Sequence, residues 1–162
     1  PTPGGPPPVR WLLGGWGISG INQFQSGSPF SVTYGTDYAG VGPGSASQFW
    51  DQVGDPKIER TKFTTSAVWF NKAAFTQPKA GTFGVQPRNA LRHPGFWEWN
   101  VSVRRTFRVR EKKTFYLRWE DFNALNHPTL GSANSNPTSG SFGLVTSKTG
   151  NRTMQIVLQF RF

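Results

Sequence analysis

The chain has 162 residues and a formal net charge of +10, with 35% hydrophobic, 16% charged and 15% aromatic residues. Disorder needs few aromatics and much charge, so this composition excludes a wholly disordered chain, and no apolar run approaches the roughly 20 residues of a membrane-spanning helix. The absence of cysteine removes disulfides, thiolate nucleophiles and cysteine metal sites, and Gly and Pro interrupt every heptad run, which excludes a coiled coil.

Residues 1–10, opening PTPGGPPP, form a Pro/Gly-rich linker or fragment end that can build neither helix nor sheet. The chain starts with Pro and no signal segment opens it, so either processing removed a leader or these residues are part of something longer. A first strand is expected over about 15–34. Trp16, Ile18, Gly20, Asn22 and Phe24 alternate there with Gly17, Ser19, Ile21 and Gln23, and Phe30, Val32 and Tyr34 resume the alternation after a bulge at Gly27 to Pro29. A loop of about 35–96 follows, with scattered aromatics and room for a helical turn near Ser66 to Ala74; loops that long are usually functional.

Strand character returns over 97–109. Trp97, Trp99, Val101, Val103, Phe107 and Val109 share one parity, broken only by Arg105, and Glu98, Asn100, Ser102, Arg104, Thr106 and Arg108 share the other. The short turn Arg110 to Lys113 joins this strand to one over 114–122, where Phe115, Leu117 and Trp119 alternate with Tyr116, Arg118 and Glu120, predicting a hairpin. A second long loop covers about 123–151. The final strand, 152–162, sets Met154, Ile156, Leu158, Phe160 and Phe162 against Thr153, Gln155, Val157, Gln159 and Arg161.

The fold class expected is all-β: an antiparallel meander of about four long strands, forming part of an outer-membrane β-barrel with long irregular outer loops. Transmembrane strands need about 9–11 residues, apolar toward lipid and polar toward the lumen, with short periplasmic turns and long outer loops. The chain would then rise outward from Trp16, descend from Trp97, turn at Arg110 to Lys113, rise again and descend to a periplasmic Phe162. A soluble β-sandwich alternates too, its apolar face being its core; the long loops and aromatic strand ends favour the membrane. Four strands cannot close a barrel, because the smallest single-chain barrels have 8. The chain is therefore either a fragment of a larger barrel or one of several copies that close a pore together.

Particular residues add a resemblance. GGWGISGINQFQSGSPFSVTYG (14–35), WFNKAAF (69–75), GTFG (81–84), RNALRHPGFWEWNVSVRRTFRV (88–109), LRWEDFNALNHPTLG (117–131), SFGLVTS (141–147) and RTMQIVLQFRF (152–162) follow in order. They resemble the C-terminal barrel segment of Oar-like TonB-dependent outer-membrane receptors, which carry an N-terminal carboxypeptidase-regulatory-like domain. The Arg118-x-Glu120-x-Phe122-Asn123-x-x-Asn126-His127-Pro128 stretch resembles their common motif, with Asp121 where an aromatic or other residue is more common.

The resemblance implies a slice, covering 11–162, of a barrel of about 22 strands. It would sit in the outer membrane of a Gram-negative type of cell and serve uptake of a scarce nutrient. The implied partners are outer-membrane lipid, the rest of the barrel and its plug domain (absent here), TonB through the missing N-terminal part, and the barrel-assembly machinery. That machinery would read the last strand through Ile156, Leu158, Phe160 and Phe162.

Candidate sites are few. Arg104 and Glu120, at lumen parity on the hairpin, are expected to form a cross-strand ion pair. The loop aromatics Trp50, Trp69, Phe70 and Phe75 could touch a ligand, although anchoring the loop is the commoner role. Six of the ten residues from Arg104 to Lys113 are basic, but Phe107 and Val109 point to the opposite face, so a basic membrane-proximal turn is preferred to a nucleic-acid site. His93 and His127 lack partners at metal-ligand spacing, Asp51, Asp55 and Glu59 read as solvated loop acids, and no catalytic fingerprint occurs. No metal, cofactor, nucleic acid or enzymatic activity is expected. The rival reading is a soluble secreted β-domain that binds carbohydrate through its loop aromatics.

Overall fold

Apolar and aromatic β-formers recur at every second position over four segments, and these are the long strands of the computed structural model, which describes residues 12–42, 47–59, 62–110 and 113–162. They are β1 (Trp16–Gln25), β2 (Phe96–Arg110), β3 (Lys113–Phe122) and β4 (Thr153–Arg161). The sheet order is β1-β2-β3-β4, so neighbours in sequence are neighbours in space. The fold is all-β, and no helix of the described residues is long and apolar enough to cross a membrane. The N-terminal Pro/Gly stretch and the hairpin tip at Glu111 and Lys112 lie outside the described residues.

Register fixes what each face carries. On β3, Phe115 faces Phe107 and Phe160, Leu117 faces Arg105 and Leu158, and Trp119 faces Val103 and Ile156; Asp121 faces Val101 and Met154. The alternate residues make the second face, where Tyr116 lies between Thr106 and Gln159, Arg118 between Arg104 and Val157, and Glu120 between Ser102 and Gln155. Alongside β2, the Gly15 carbonyl accepts from the Thr106 N–H at 3.0 Å. A Cβ at position 17 would come within 2.7 Å of Arg104 Nε, so glycine there lets the arginine side chain lie across β1. Gly17 thus shares the Arg104 face, and Trp16 and Ile18 share the face of Val103.

The chain divides into two units: the sheet (Pro1–Phe24, Trp97–Pro128 and Gly150–Phe162) and a loop unit (Gln25–Phe96 and Thr129–Thr149). The expected first strand over 15–34 does not run through. β1 stops at Gln25, and just beyond it Gly27 passes so close to the His93 carbonyl that a Cβ would collide with it. Pro29–Phe30 then pairs with Leu91–Arg92, and Thr33–Tyr34 with Gln48–Phe49. These partners come from the loop, so residues 29–34 belong to its ladders.

The loop unit has little regular structure but its own core. Besides the two ladders above, Asp51–Gln52 pairs with Phe75–Thr76, Leu144–Val145 with Ala67–Val68, and Thr129–Leu130 with Lys148–Thr149. The helical turn expected near Ser66 to Ala74 is a 3-10 turn over Lys72–Ala74, capped by the Asn71 side chain, which accepts from the Ala73 N–H. Phe30, Val32, Phe70, Ala74, Phe75, Leu91, Ala133 and Val145 form the core, with Trp50, Phe63, Trp69, Leu130 and Phe142 packed around it. Rings dominate: Phe70 meets Phe75 edge-on at 5.6 Å and Phe142 edge-on at 5.3 Å, the geometry the aromatic quadrupole favours. Such a core holds long segments without continuous strands.

Candidate functional site

The sheet, with its two chemically opposite faces, is the candidate site. Its apolar face stays open: Ile18 is 77% exposed, Ile156 68%, Leu158 63% and Phe160 52%. A water-facing sheet would cover such a surface. The ten-residue step from Trp97 to Phe107 spans about 33 Å at a rise of about 3.3 Å per residue. A strand tilt of about 40° reduces that to about 25 Å, the height of the apolar band on outer-membrane barrels. Aromatic residues mark both limits, Trp97 and Trp99 toward the loop end, Phe107, Phe115 and Phe160 toward the hairpin end.

Two charges share this parity. The Arg105 guanidinium lies over the rings of Phe107 at 4.3 Å and Trp16 at 4.9 Å, so its charge meets ring faces and its stem lies on apolar surface. Asp121 is only 5% exposed, so the covering side chains, not its carboxylate, form the surface there.

The opposite face is polar and mostly basic. Arg104 and Arg118 stand directly across from each other, a like-charge pairing that costs roughly 0.2–1 kcal/mol. The expected Arg104–Glu120 pair does not form. Glu120 stands opposite Ser102 and Gln155; its carboxylate accepts from the Gln155 amide, and its cation is Arg118, at 3.5 Å on the same strand. The register is offset by an irregularity between Lys113 and Thr114 at the hairpin turn. Turn geometry sets pairing in a hairpin, and parity within each strand does not disclose it.

This combination of one open apolar face, one polar face and a short hairpin turn coincides with a family model described as "Outer membrane beta barrel domain", which matches residues 2–155. The chain belongs to this family. Searches of curated proteins and of solved structures gave no significant match. In outer-membrane barrels the apolar side of each strand meets lipid and the polar side the lumen, the division that these two faces carry. Ile156, Leu158 and Phe160 on β4 lie on the apolar face, and Phe162, just beyond the strand, is 93% exposed.

The Asn-x-x-Asn-His-Pro stretch ties the strands of the barrel domain together where β3 ends. Asn123 takes a left-handed backbone (φ 53°), which stops the strand, and is 4% exposed. Its amide donates to the carbonyls of His127 and Gly150, its Oδ1 accepts from the His127 N–H at 3.0 Å, and its own N–H donates to Asn100 Oδ1 at 2.8 Å. Asn126, also left-handed (φ 50°), accepts from the Arg152 N–H at 3.2 Å. Asn100, Asn123 and Asn126 thus join β2, β3 and the approach to β4. The role of these asparagines is not legible in the motif alone; two Asn three apart after an alternating run are the one local signal of it.

In the loop unit, the aromatics suggested as ligand contacts are placed otherwise. Phe70 and Phe75 are core residues, 2% and 5% exposed, and offer no ring face to a ligand. Trp69 donates its Nε1–H to the Arg92 carbonyl at 2.7 Å. Trp50 packs between Tyr34 and Phe142, each 6.3 Å away between ring centres. All four rings anchor the unit. Asp37 closes a turn: its carboxylate accepts from the N–H groups of Gly42 (2.7 Å), Gly40 (2.9 Å) and Val41 (3.2 Å) and from the Gln48 amide (2.7 Å). These bonds, led by that from Gly42, hold its pKa below the usual carboxylate value.

His93 stacks on Phe30 at 4.0 Å, and its Nδ1 accepts from the Ala133 N–H at 3.1 Å, so the neutral ring fits and a proton on Nδ1 would not. Burial lowers its pKa from 6.5. The unfolded chain therefore takes up a proton first as pH falls below 6.5, and the stability held above that value is lost as pH falls toward the lowered folded pKa. Thermal unfolding of the loop unit should thus occur at lower temperature at pH 5 than at pH 7.5. His93→Asn, which keeps an acceptor without titrating, should flatten that dependence; an equal pH effect in both proteins would remove His93 as its origin.

Proposed function

We propose that this barrel domain is part of the wall of an Oar-like TonB-dependent transporter in a Gram-negative outer membrane, contributing strands and outer loops for uptake of a scarce nutrient. The ordered series of motifs from Gly14 to Phe162 carries this reading. Support comes from the sheet itself. β1 and β4 each pair on one side only among the described residues, and hydrocarbon does not tolerate open sheet edges. Further strands must therefore complete the barrel. On this reading the partners are membrane lipid, the remaining strands and plug, TonB and the barrel-assembly machinery, and the segment catalyses no reaction.

The test is to fractionate cells making the native protein that carries this sequence, and to photo-crosslink it to TonB under energised conditions. The expected result is a species several times the 18.0 kDa of this segment, in the outer-membrane fraction and crosslinked to TonB. An 18 kDa soluble species would overturn the proposal. An outer-membrane species that never crosslinks to TonB would leave the barrel and remove the energised transport.

A further inference from the structure

Three successive rows of the lumen-facing side of the sheet carry an arrangement that the transporter reading does not require. In the first, Arg104 faces Arg118; in the next, Thr106, Tyr116 and Gln159 stand side by side; in the third, Thr114 has Arg108 on one side and Arg161 on the other. Four guanidiniums thus frame a patch of neutral hydrogen-bonding groups. Seven of these residues, with Val157, line a shallow groove of about 460 Å³; Arg108 frames it by register alone.

The face holds little charge to oppose them. Glu120 offsets Arg118, at 3.5 Å, and accepts from Gln155; among the described residues no acid is paired with Arg104. Glu98, the other acid of this parity on β2, is six residues from Arg104, about 20 Å along the strand. Position 17 is glycine where a Cβ would press on Arg104 Nε, so room for that side chain is built into the neighbouring strand. Opposed guanidiniums repel each other unless an anion lies between them. A guanidinium fork matches an oxyanion bidentately, and the hydroxyls between the rows can donate to the same oxygens. Rings of Arg or Lys on a pore wall select anions.

We infer that this groove is a lumenal binding site for an oxyanion-bearing solute, one carrying phosphate or carboxylate groups, held between Arg104 and Arg118 and by Arg161, with Tyr116, Thr106 and Gln159 as hydrogen-bonding partners. The inference rests on the barrel reading, since only there does this face line a water-filled lumen. It adds the charge and chemistry of what passes.

The test uses the native protein in nanodiscs, titrated calorimetrically with inorganic phosphate and, separately, citrate. The site predicts binding of at least one anion, weakened about tenfold or more by Arg104→Gln or Arg118→Gln and less than threefold by Ser102→Ala on the same face. The stronger anion identifies the phosphate or carboxylate source. Arg161→Gln and the charge-keeping Arg104→Lys cover the case in which a glutamine variant does not fold, which heat-modifiable gel mobility reports. No binding of either anion, or binding unchanged in the arginine variants, overturns the inference. So does a structure of the native protein in which its own acidic side chains fill the groove.

This sequence contains no cysteine, so single cysteines at Ser102 and Val103, in a background freed of any others, separate the two failures. In the membrane, an impermeant aqueous thiol reagent should label position 102 and not 103. If that alternation holds and no anion binds, only this site fails. If it does not hold, the barrel reading fails with it.

Discussion

Ile156→Arg is expected to cost about 2–4 kcal/mol of folding free energy in a bilayer, whereas Gln155→Lys, one residue away, should cost less than about 0.5 kcal/mol. The difference is one of parity. Ile156 stands in a row with Trp119 and Val103, near the middle of the span from Trp97 to Phe107, where a guanidinium facing lipid has the shortest supply of water. Gln155 lies on the lumen side against Glu120, and a lysine there keeps a carboxylate partner. The experiment also tests the solvent. Ile156 is 68% exposed, so if its surroundings were water, arginine would be nearly neutral. Urea titrations of the native protein in lipid vesicles read both variants. A neutral Ile156→Arg, or an equally damaging Gln155→Lys, would reverse the assignment of faces.

Asn123→Ala should be the most damaging small substitution in the sheet unit, at about 3 kcal/mol or more. Alanine removes the amide that serves the carbonyls of His127 and Gly150 and the His127 N–H. Each orphaned buried group costs roughly 1–3 kcal/mol, although the three share one side chain and do not add fully. Alanine must also hold the left-handed backbone, φ 53°, at a further cost of about 1 kcal/mol. Asn123→Gly separates these effects, because glycine accepts the backbone but supplies no amide; it should recover about 1 kcal/mol and no more. The same urea titration serves, and an Asn123→Ala midpoint close to that of the unaltered protein would deny the turn its role in joining β2, β3 and the approach to β4.

Part of this molecule was legible in the sequence because it depends on neighbours in the chain. Side chains alternate across an extended backbone whatever it pairs with, so Trp97 to Phe107 and Phe115 to Trp119 disclosed their shared faces, and the short turn at Arg110 to Lys113 disclosed the hairpin. Nothing local disclosed that Arg118, and not Glu120, stands across from Arg104, since pairing depends on the offset at Lys113 and Thr114. An offset that changes the pairs while keeping the parity leaves the alternation untouched.

The loop unit was harder to read for a related reason. Its ladders are only two residues long, and two of them, Phe30 with Leu91 and Ala67 with Val145, join segments more than sixty residues apart. No short stretch of sequence contains both halves of those two, and two-residue pairings leave no alternation to read, so Phe70 and Phe75 looked as available to a ligand as to a core. Composition and alternation by themselves determined an all-β chain with one apolar and one polar face, because both properties are carried residue by residue. Which strand residues meet, where β1 gives way to the loop ladders, and which rings become core were decided only by tertiary structure, because each depends on a partner that the local sequence does not specify.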